Sequence, residues 1–452
     1  MIKRTLQDIA PWVNGEKLGN AEISGVSTDT RTIREGSLFV PIAGEHFNGH
    51  DFGEKARDNG AAAALWGKNQ PAPPAGFPVI YVEDTLQALQ DLARNYLASL
   101  PARVIGITGS NGKTTTKDMV ASVLGTTYKV QKTEGNYNNH IGLPLTILGL
   151  EEDTEMAVLE MGMSGRGEIE LLSSIARPHA AVITNIGESH LQDLGSREGI
   201  SEAKFEIAAG LRENGTLIID GEEPLLTKKA ASAPFRVLTF GTSDTNDYYP
   251  VRSEQKKDGT NFTIYKEAEE SFFIPVLGSH NINNALAAIA VAGLFEVSYS
   301  SIRKGLERLQ VTGMRTELVE GRDGVTVIND AYNASPTSMR AAVKLLQDLQ
   351  ADGKKIVVLA DMLELGEKEE TFHMETGKDI EAAEIDYVFT LGSLGRKIAE
   401  GAAVNFSENR LLSFDDKQAL IKELGSLVGR GDVVLVKGSR GMKLEEVVQS
   451  LA

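Results

Sequence analysis

The sequence predicts an α/β chain of three domains, and three observations predict it. Short apolar, β-rich runs alternate with segments of helical periodicity along most of the chain. The texture changes near residue 100 and again near residue 313. A glycine-rich stretch, "GSNGKTTTK" (109–117), stands between a strand-like run and a helical one, which is where α/β proteins bind phosphate. The length, 452 residues, agrees with about three domains at ~150 residues each.

The elements follow in order. "DTLQALQDLARNYLAS" (84–99) places apolar residues at helical spacing behind an Asp-Thr start, and Pro101 stops it. A first domain is therefore expected over 1–100. "RVIGITG" then reads as a buried strand. Further strands are expected at "MAVLEMG" (156–162), "AAVITNIG" (180–187) and "GTLIID" (215–220), with helices over 117–124, 165–176 and 201–213. That alternation implies a parallel, doubly wound sheet in a central domain, 101–313. "NFTIYKEAEESFFIPV" (261–276) alternates and is expected as an antiparallel addition; "NINNALAAIAVAGLF" (281–295) reads as a helix. Four more strand candidates, "GVTVIND" (324–330), "KIVVLAD" (355–361), "DYVFTLG" (386–392) and "DVVLVKG" (432–438), give a C-terminal α/β domain, 314–452.

Composition excludes several functions. With 46 basic against 63 acidic residues the formal charge is −17, which disfavours a general nucleic-acid or anionic-membrane binder. An anionic small substrate needs only a local basic pocket. The absence of cysteine removes disulfides, thiolate metal sites and a cysteine nucleophile. The first residues carry no apolar run of signal-peptide length, and no segment approaches the ~18 apolar residues of a membrane span. A soluble, cytoplasmic, bacterial protein is expected.

The loop carries the first chemical signal. The usual phosphate loop has four residues between its first glycine and the Gly-Lys pair, whereas Gly109 and Gly112 are separated by two. The context is still that of a phosphate site: Gly109, Ser110, Asn111 and Gly112 let backbone N–H groups converge, and the helix start adds positive potential. Lys113 suits the β and γ phosphates, the Thr114 hydroxyl suits Mg²⁺, and Thr115 continues the turn. Glu160 ends a buried strand and so faces the ligand crevice, where it suits Mg²⁺ beside Thr114. His190 follows another strand at the same edge, although a lone histidine is more often structural. Arg315 suits a phosphate clamp, because guanidinium is forked and always charged. Asp330 follows a strand and suits ribose hydroxyls, with Tyr332 and Asn333 in the loop that Pro336 closes. Taken alone, Lys204 in "GISEAKFEIAAGL" (199–211) reads as a solvated surface lysine.

Five ordered motifs, together spanning the chain, resemble the Mur ligase family, ATP-dependent enzymes that build the peptidoglycan stem peptide. They are the shortened loop, "AKFEI" around Lys204, "GSHNINN" with His280 and Asn284, "DAYNASP" (330–336), and "GVSTDTRTIREGSLFVPIAGEHFNGHDF" (25–52). The resemblance implies two Mg²⁺ sites, with His190 at the second. It also implies that CO₂ carbamylates Lys204, making a cation into an oxygen ligand for that second ion. It implies that Asn284 approaches the adenine, with Asn281 and Asn283 ranked lower, and that Ser27, Asp29, Arg31 and Asn48 belong to a uridine-nucleotide segment. Asn138 and Asn139 in "EGNYNNHIGLPLTIL" (134–148) fall in its substrate loop. Thr30, Asn48 and Ser335 stand where Ser, Asp and Asn are common.

Some family members open on a dinucleotide-like domain, and no G-x-G-x-x-G lies near this N-terminus. Another carries a "DYAHTP" loop and an Asp-Asn-Pro-Arg signature, both absent here. Folylpolyglutamate synthases begin near their phosphate loop. The resemblance therefore implies the member that joins D-alanyl-D-alanine to UDP-N-acetylmuramoyl-tripeptide, whose third residue is meso-diaminopimelate or L-lysine. It implies an N-terminal UDP-substrate domain, a central ATPase domain, a Rossmann-like C-terminal domain and a monomer. The alternative is a nucleotide-binding switch that hydrolyses ATP and ligates nothing.

Overall fold

The computed structural model describes residues 1–44 and 46–452 and contains three principal sheets. The N-terminal sheet runs in the order Glu16–Leu18, Val79–Val82, Ala61–Gly67, Ser37–Phe39, Val26–Ser27. Its strands are parallel except for the first. The helix Thr85–Ala98 starts where Asp84 accepts hydrogen bonds from the N–H groups of Leu86 and Gln87. Its apolar face, with Leu89, Leu92 and Tyr96 fully buried, packs against the helix Gly142–Leu148 of the next domain. The Tyr96 hydroxyl donates to Leu150 O at 2.8 Å, and Ile2 N to Leu148 O at 2.9 Å. One apolar core thus runs through both domains. At roughly 2 kcal/mol per buried leucine, it holds them as one body.

The central sheet has six parallel strands, in the order Arg236–Phe240, Thr216–Asp220, Ala180–Ile183, Arg103–Thr108, Met156–Glu160, Val130–Lys132. The strands are almost wholly apolar because helices cover both faces. Chain order reverses at Arg103–Thr108, which has the following strands on either side. Ligands bind at such a switch point, beyond the strands' C-terminal ends. Register brings Glu160 beside Ile107 and Ile183 beside Thr108, so the loops after all three strands meet at one edge.

Three helix boundaries differ from expectation. The helix placed at 117–124 begins at Lys113, directly on the loop. The one placed at 165–176 begins at Glu168, after Gly167 in the left-handed region. The one placed at 201–213 runs Arg197–Phe205 and tightens into the 3₁₀ turn Glu206–Gly210. Ser196 Oγ accepts from Gly199 N and starts it early; Gly210 lies against the Ser173 backbone, where a side chain would clash. The antiparallel addition has three strands, Pro250–Gln255, Thr260–Ile264 and Glu267–Ile274.

The C-terminal sheet runs Glu317–Glu320, Thr326–Asp330, Val433–Lys437, Lys355–Ala360, Tyr387–Leu391, Leu411–Phe414, with only the first strand antiparallel. This domain has its own cores and meets the central domain mainly through polar groups. Ser335 Oγ donates to Asn111 Oδ1 at 3.2 Å, and Thr337 Oγ1 to Glu188 at 2.6 Å. The linker holds Met314 and Thr316 at φ 62° and 54°, a left-handed conformation that costs non-glycine residues ~1 kcal/mol or more each. Among the described residues, no helix is long and apolar enough to cross a membrane.

Candidate active site

The loop keeps its shape because glycine is required twice. Gly109 has φ 149°, and a Cβ there would strike Thr184 Oγ1; Gly112 has φ 78°, with Asn284 Oδ1 2.6 Å from where a Cβ would sit. Asn185 clamps the turn from the neighbouring strand, accepting from Asn111 N at 3.0 Å and donating to Asn111 O at 3.1 Å. Ser110 Oγ accepts from Gly187 N at 2.8 Å. No side chain caps the helix that starts at Lys113, so its first N–H groups face the cleft. Lys113 Nζ donates to Gly109 O at 2.7 Å and Ser110 O at 3.3 Å. Burial holds this ammonium below its usual pKa; Glu160 opposes that shift and Arg315 adds to it.

Glu160 is buried and organises the next layer. Its Oε2 accepts from Thr114 Oγ1 at 2.8 Å and its Oε1 from Asn138 Nδ2 at 2.8 Å. The phosphate loop and the Asn138 loop are therefore tied through one carboxylate. Asn139 instead starts a helix, its Oδ1 accepting from Ile141 N and Gly142 N. Asn284 Oδ1 accepts from Thr116 Oγ1 at 3.1 Å, and its Nδ2 donates to Asn281 Oδ1 at 2.9 Å, bracing the loop from behind.

The C-terminal domain supplies the opposite wall. The Arg315 guanidinium lies 4.0 Å from the centre of the Tyr332 ring, and its Nε is buried without a hydrogen-bond partner. Asp330 Oδ1 accepts from Thr316 N at 3.0 Å, and its Oδ2 from Lys437 Nζ at 2.6 Å. Lys437 also donates to Asn333 O at 3.1 Å. These groups, the loop, Asn138, Asn139, Glu160, His190 and Asn284 line one cleft of about 620 Å³ between the domains.

Lys204 lies behind this cleft, not on the surface. It is 1% exposed, which overturns the solvated reading of an amphipathic helix. Burial drives its pKa well below the usual lysine value, and Lys113 adds to the shift. It forms no ion pair among the described residues. His190 has φ 63° and is likewise held below its usual pKa, chiefly by burial.

The N-terminal residues lie outside this cleft. Ser27 Oγ, Asp29 and Arg31 form one turn, in which the Arg31 hydrogen bond holds the exposed Asp29 carboxyl at about 2. Asn48 Oδ1 accepts from His50 N at 3.1 Å and its Nδ2 donates to Gln70 at 2.7 Å, so both ends of its amide are engaged locally.

Sequence reasoning missed Lys437, Glu364 and Asp220, all of which line the cleft. Lys437 and Asp220 end buried strands, the feature that singled out Glu160, so the signal was present. Burial pushes the Asp220 carboxyl up to about 6 from 3.8, although Glu222 N donates to it. The folded state therefore holds a proton that the unfolded state releases, and stability falls as pH rises through that window. Asp220→Asn is expected to stabilise the protein above pH ~6 by up to ~3 kcal/mol, with no gain below pH ~4. Thermal unfolding at both extremes checks this; an equal gain at both would remove the titration argument.

A phosphate loop at a switch point, completed by residues from another domain, defines a class. It is that of phosphate-handling α/β enzymes that assemble their site by bringing domains together. The Mur ligase middle domain matches residues 107–292, the Mur ligase glutamate ligase domain 314–440, and the Mur ligase family catalytic domain 22–97. The chain belongs to the Mur ligase family. It is 55% identical to the UDP-N-acetylmuramoyl-tripeptide–D-alanyl-D-alanine ligase of Bacillus subtilis, over 100% of this chain and 99% of that one. It resembles a crystal structure of MurF from Acinetobacter baumannii with TM-score 0.91 and 30% identity, over 100% and 99% of the two chains. MurF from Thermotoga maritima in complex with ADP matches with TM-score 0.82 and 31% identity, over 94% and 96%.

Proposed function

We propose that this chain is a cytoplasmic ATP-dependent ligase that joins D-alanyl-D-alanine to UDP-N-acetylmuramoyl-tripeptide. The observation that carries this reading is the tie from Asn138 through Glu160 to Thr114. It sets a substrate loop against a phosphate loop, where a substrate carboxylate and a γ-phosphate can meet. The relatives at high identity add the substrates.

The tripeptide's terminal carboxylate attacks the γ-phosphorus, ADP leaves and an acyl phosphate forms. The dipeptide's amine adds to the acyl carbon, and the tetrahedral intermediate expels phosphate. Phosphate is a good leaving group where carboxylate oxygen is not, so catalysis rests on positioning and charge neutralisation. Gly109 to Thr115 would cradle the phosphates, with Lys113 and Arg315 as the cations. Asp330 would take the ribose, Tyr332 and Asn333 would shape that wall, and Asn284 would lie along the nucleoside. Ser27, Asp29, Arg31 and Asn48 would hold the uridine nucleotide, with Asn138 and Asn139 nearer the peptide. The domain boundaries we propose fall near residues 100 and 313, and closure at the second would assemble the site. X-ray scattering with an ATP analogue and tripeptide should show compaction.

Among the described residues no cluster of three or more His, Cys, Asp or Glu could hold a metal. Mg²⁺ still fits, because it takes one or two carboxylates and completes its shell with phosphate oxygens and water. Glu160 supplies one carboxylate and Thr114 a hydroxyl beside it. Beside His190, Lys204 suits a cation only as a carbamate, and burial, by lowering its pKa, favours the neutral amine that attacks CO₂. Bound Mg²⁺ would neutralise phosphate charge and steady the transferred group.

A second cleft, about 770 Å³, lies between the domains and is lined by Leu191, Arg197, Leu225, Leu365, Lys368 and Phe372. Its apolar walls suit two methyl groups. Arg197 is paired with Glu223 at 2.6 Å, which leaves Lys368 for a carboxylate and the lining glutamates Glu188, Glu198 and Glu367 for an ammonium, so we place D-alanyl-D-alanine there. Lys368→Ala is expected to raise the dipeptide KM by about 5–20-fold, as for a lost charged contact, without changing that for ATP. An unchanged dipeptide KM would move the dipeptide elsewhere.

Phosphate release from ATP, measured with tripeptide and Mg²⁺ and with or without D-alanyl-D-alanine, tests the function. Strict dependence on both substrates, with pentapeptide formed, is expected. Release indifferent to the dipeptide would leave the nucleotide site and remove the ligase.

A further inference from the structure

His190 belongs to the central domain and Glu364 to the C-terminal one, and each stands in the left-handed region, at φ 63° and 64°. Two neighbouring non-glycine residues hold that conformation only where their surroundings over-determine it. Here the two turns are mated. Gln192 N donates to Glu364 O at 3.3 Å, and Gly366, φ 67°, is packed so that a Cβ would lie 3.5 Å from Gln192 Cα. Beside them Thr337 Oγ1 donates to Glu188 at 2.6 Å. The junction brings Glu364 Oε2 to 3.1 Å from His190 Nδ1. That nitrogen is buried and has no hydrogen-bond partner, because the contact is close but misaligned. No other carboxylate stands within ion-pair distance of it among the described residues.

We propose that Glu364 is a positioning residue that fixes the tautomer of His190. A small rotation of the exposed Glu364 side chain turns the contact into a bond from Nδ1–H to the carboxylate. Nε2 then carries the lone pair. Which imidazole nitrogen can act as a ligand is set by what the other one donates to. Since the carboxylate arrives on the C-terminal domain, the histidine is set only when the domains meet. The consequence for a cation rests on the proposed function; the tautomer itself does not.

The experiment is long-range proton–nitrogen NMR on the full chain labelled with ¹⁵N-histidine, with His190 assigned from His190→Gln. Wild type should show one tautomer, protonated at Nδ1. Glu364→Ala should give a mixture of tautomers, and Glu364→Gln, whose amide oxygen still accepts, should restore the wild-type pattern. The Glu364 side chain is 62% exposed, so these variants should fold. A wild-type ring protonated at Nε2, or a Glu364→Ala spectrum equal to wild type, would overturn the proposal. Mn²⁺ affinity, measured with an ATP analogue present, should fall ~10-fold in Glu364→Ala. A shifted tautomer with unchanged Mn²⁺ affinity would uphold the positioning and remove His190 from the cation site.

Discussion

Lys113→Ala is expected to lower kcat/KM for ATP by roughly 10³-fold or more, ~4 kcal/mol of transition-state stabilisation, while the protein stays folded. The lysine stands on the first helical turn with Nζ held by Gly109 O and Ser110 O. A phosphoryl group arriving at the uncapped helix start would meet the same ammonium. Losing it removes the charge that must follow the γ-phosphoryl group as it moves. The loop survives, since its glycines, Asn185 and Ser110 set its shape without the lysine. Lys113→Arg should rescue little, because a planar fork does not replace a compact ammonium in a loop this short. Steady-state kinetics and thermal unfolding on the same preparations separate the effects. Retention of more than about a tenth of wild-type activity would mean that Arg315 and the helix start alone carry the phosphate charge.

Much of the fold was legible because parallel strands buried on both faces are written as apolar runs, as at 103–108, 156–160 and 433–437. The strands that escaped notice in the central and C-terminal sheets are at the edges, while the whole N-terminal sheet, including the buried interior strand Ala61–Gly67, escaped because its runs are short or alanine-rich. Val130–Lys132 and Leu411–Phe414 are short and half-exposed, so neither alternation nor an apolar run marks them. The site divides in the same way. Glu160 and Asp330 follow from strand ends, and the loop follows from its glycines. Glu364 was not legible, since its role depends on two turns 174 residues apart meeting across a domain junction. Asn48 is legible only from its motif; the structure shows its amide bonded to His50 N and Gln70. Lys204 is the sharpest case. Helical periodicity could not show that its solvent-like position is buried where its helix packs against other elements of the central domain, and only the motif around it pointed inward.

Lys204→Met is therefore expected to abolish ligation and to stabilise the protein. In CO₂-free buffer at neutral pH the wild-type amine is buried without an ion partner, and its folded pKa lies well below 10.5. The unfolded chain then binds the extra proton. Stability is lost as pH falls from about the unfolded pKa towards the folded one, and is not regained below it. Methionine fills the same volume without that cost, and each kcal/mol recovered should raise Tm by roughly 2–4 °C. Bicarbonate should narrow the gap, because CO₂ captured by the folded amine stabilises the wild type by mass action and cannot act on methionine. A ¹³C carbamate resonance from labelled bicarbonate should appear in wild type and be absent in the variant. If bicarbonate shifts both Tm values equally and no carbamate signal appears, Lys204 is a buried amine of structural use only. The second cation proposed above would then rest on His190, phosphate and water alone. If wild type alone responds, the stability given up by burying an unpaired lysine is explained by the ligand it becomes.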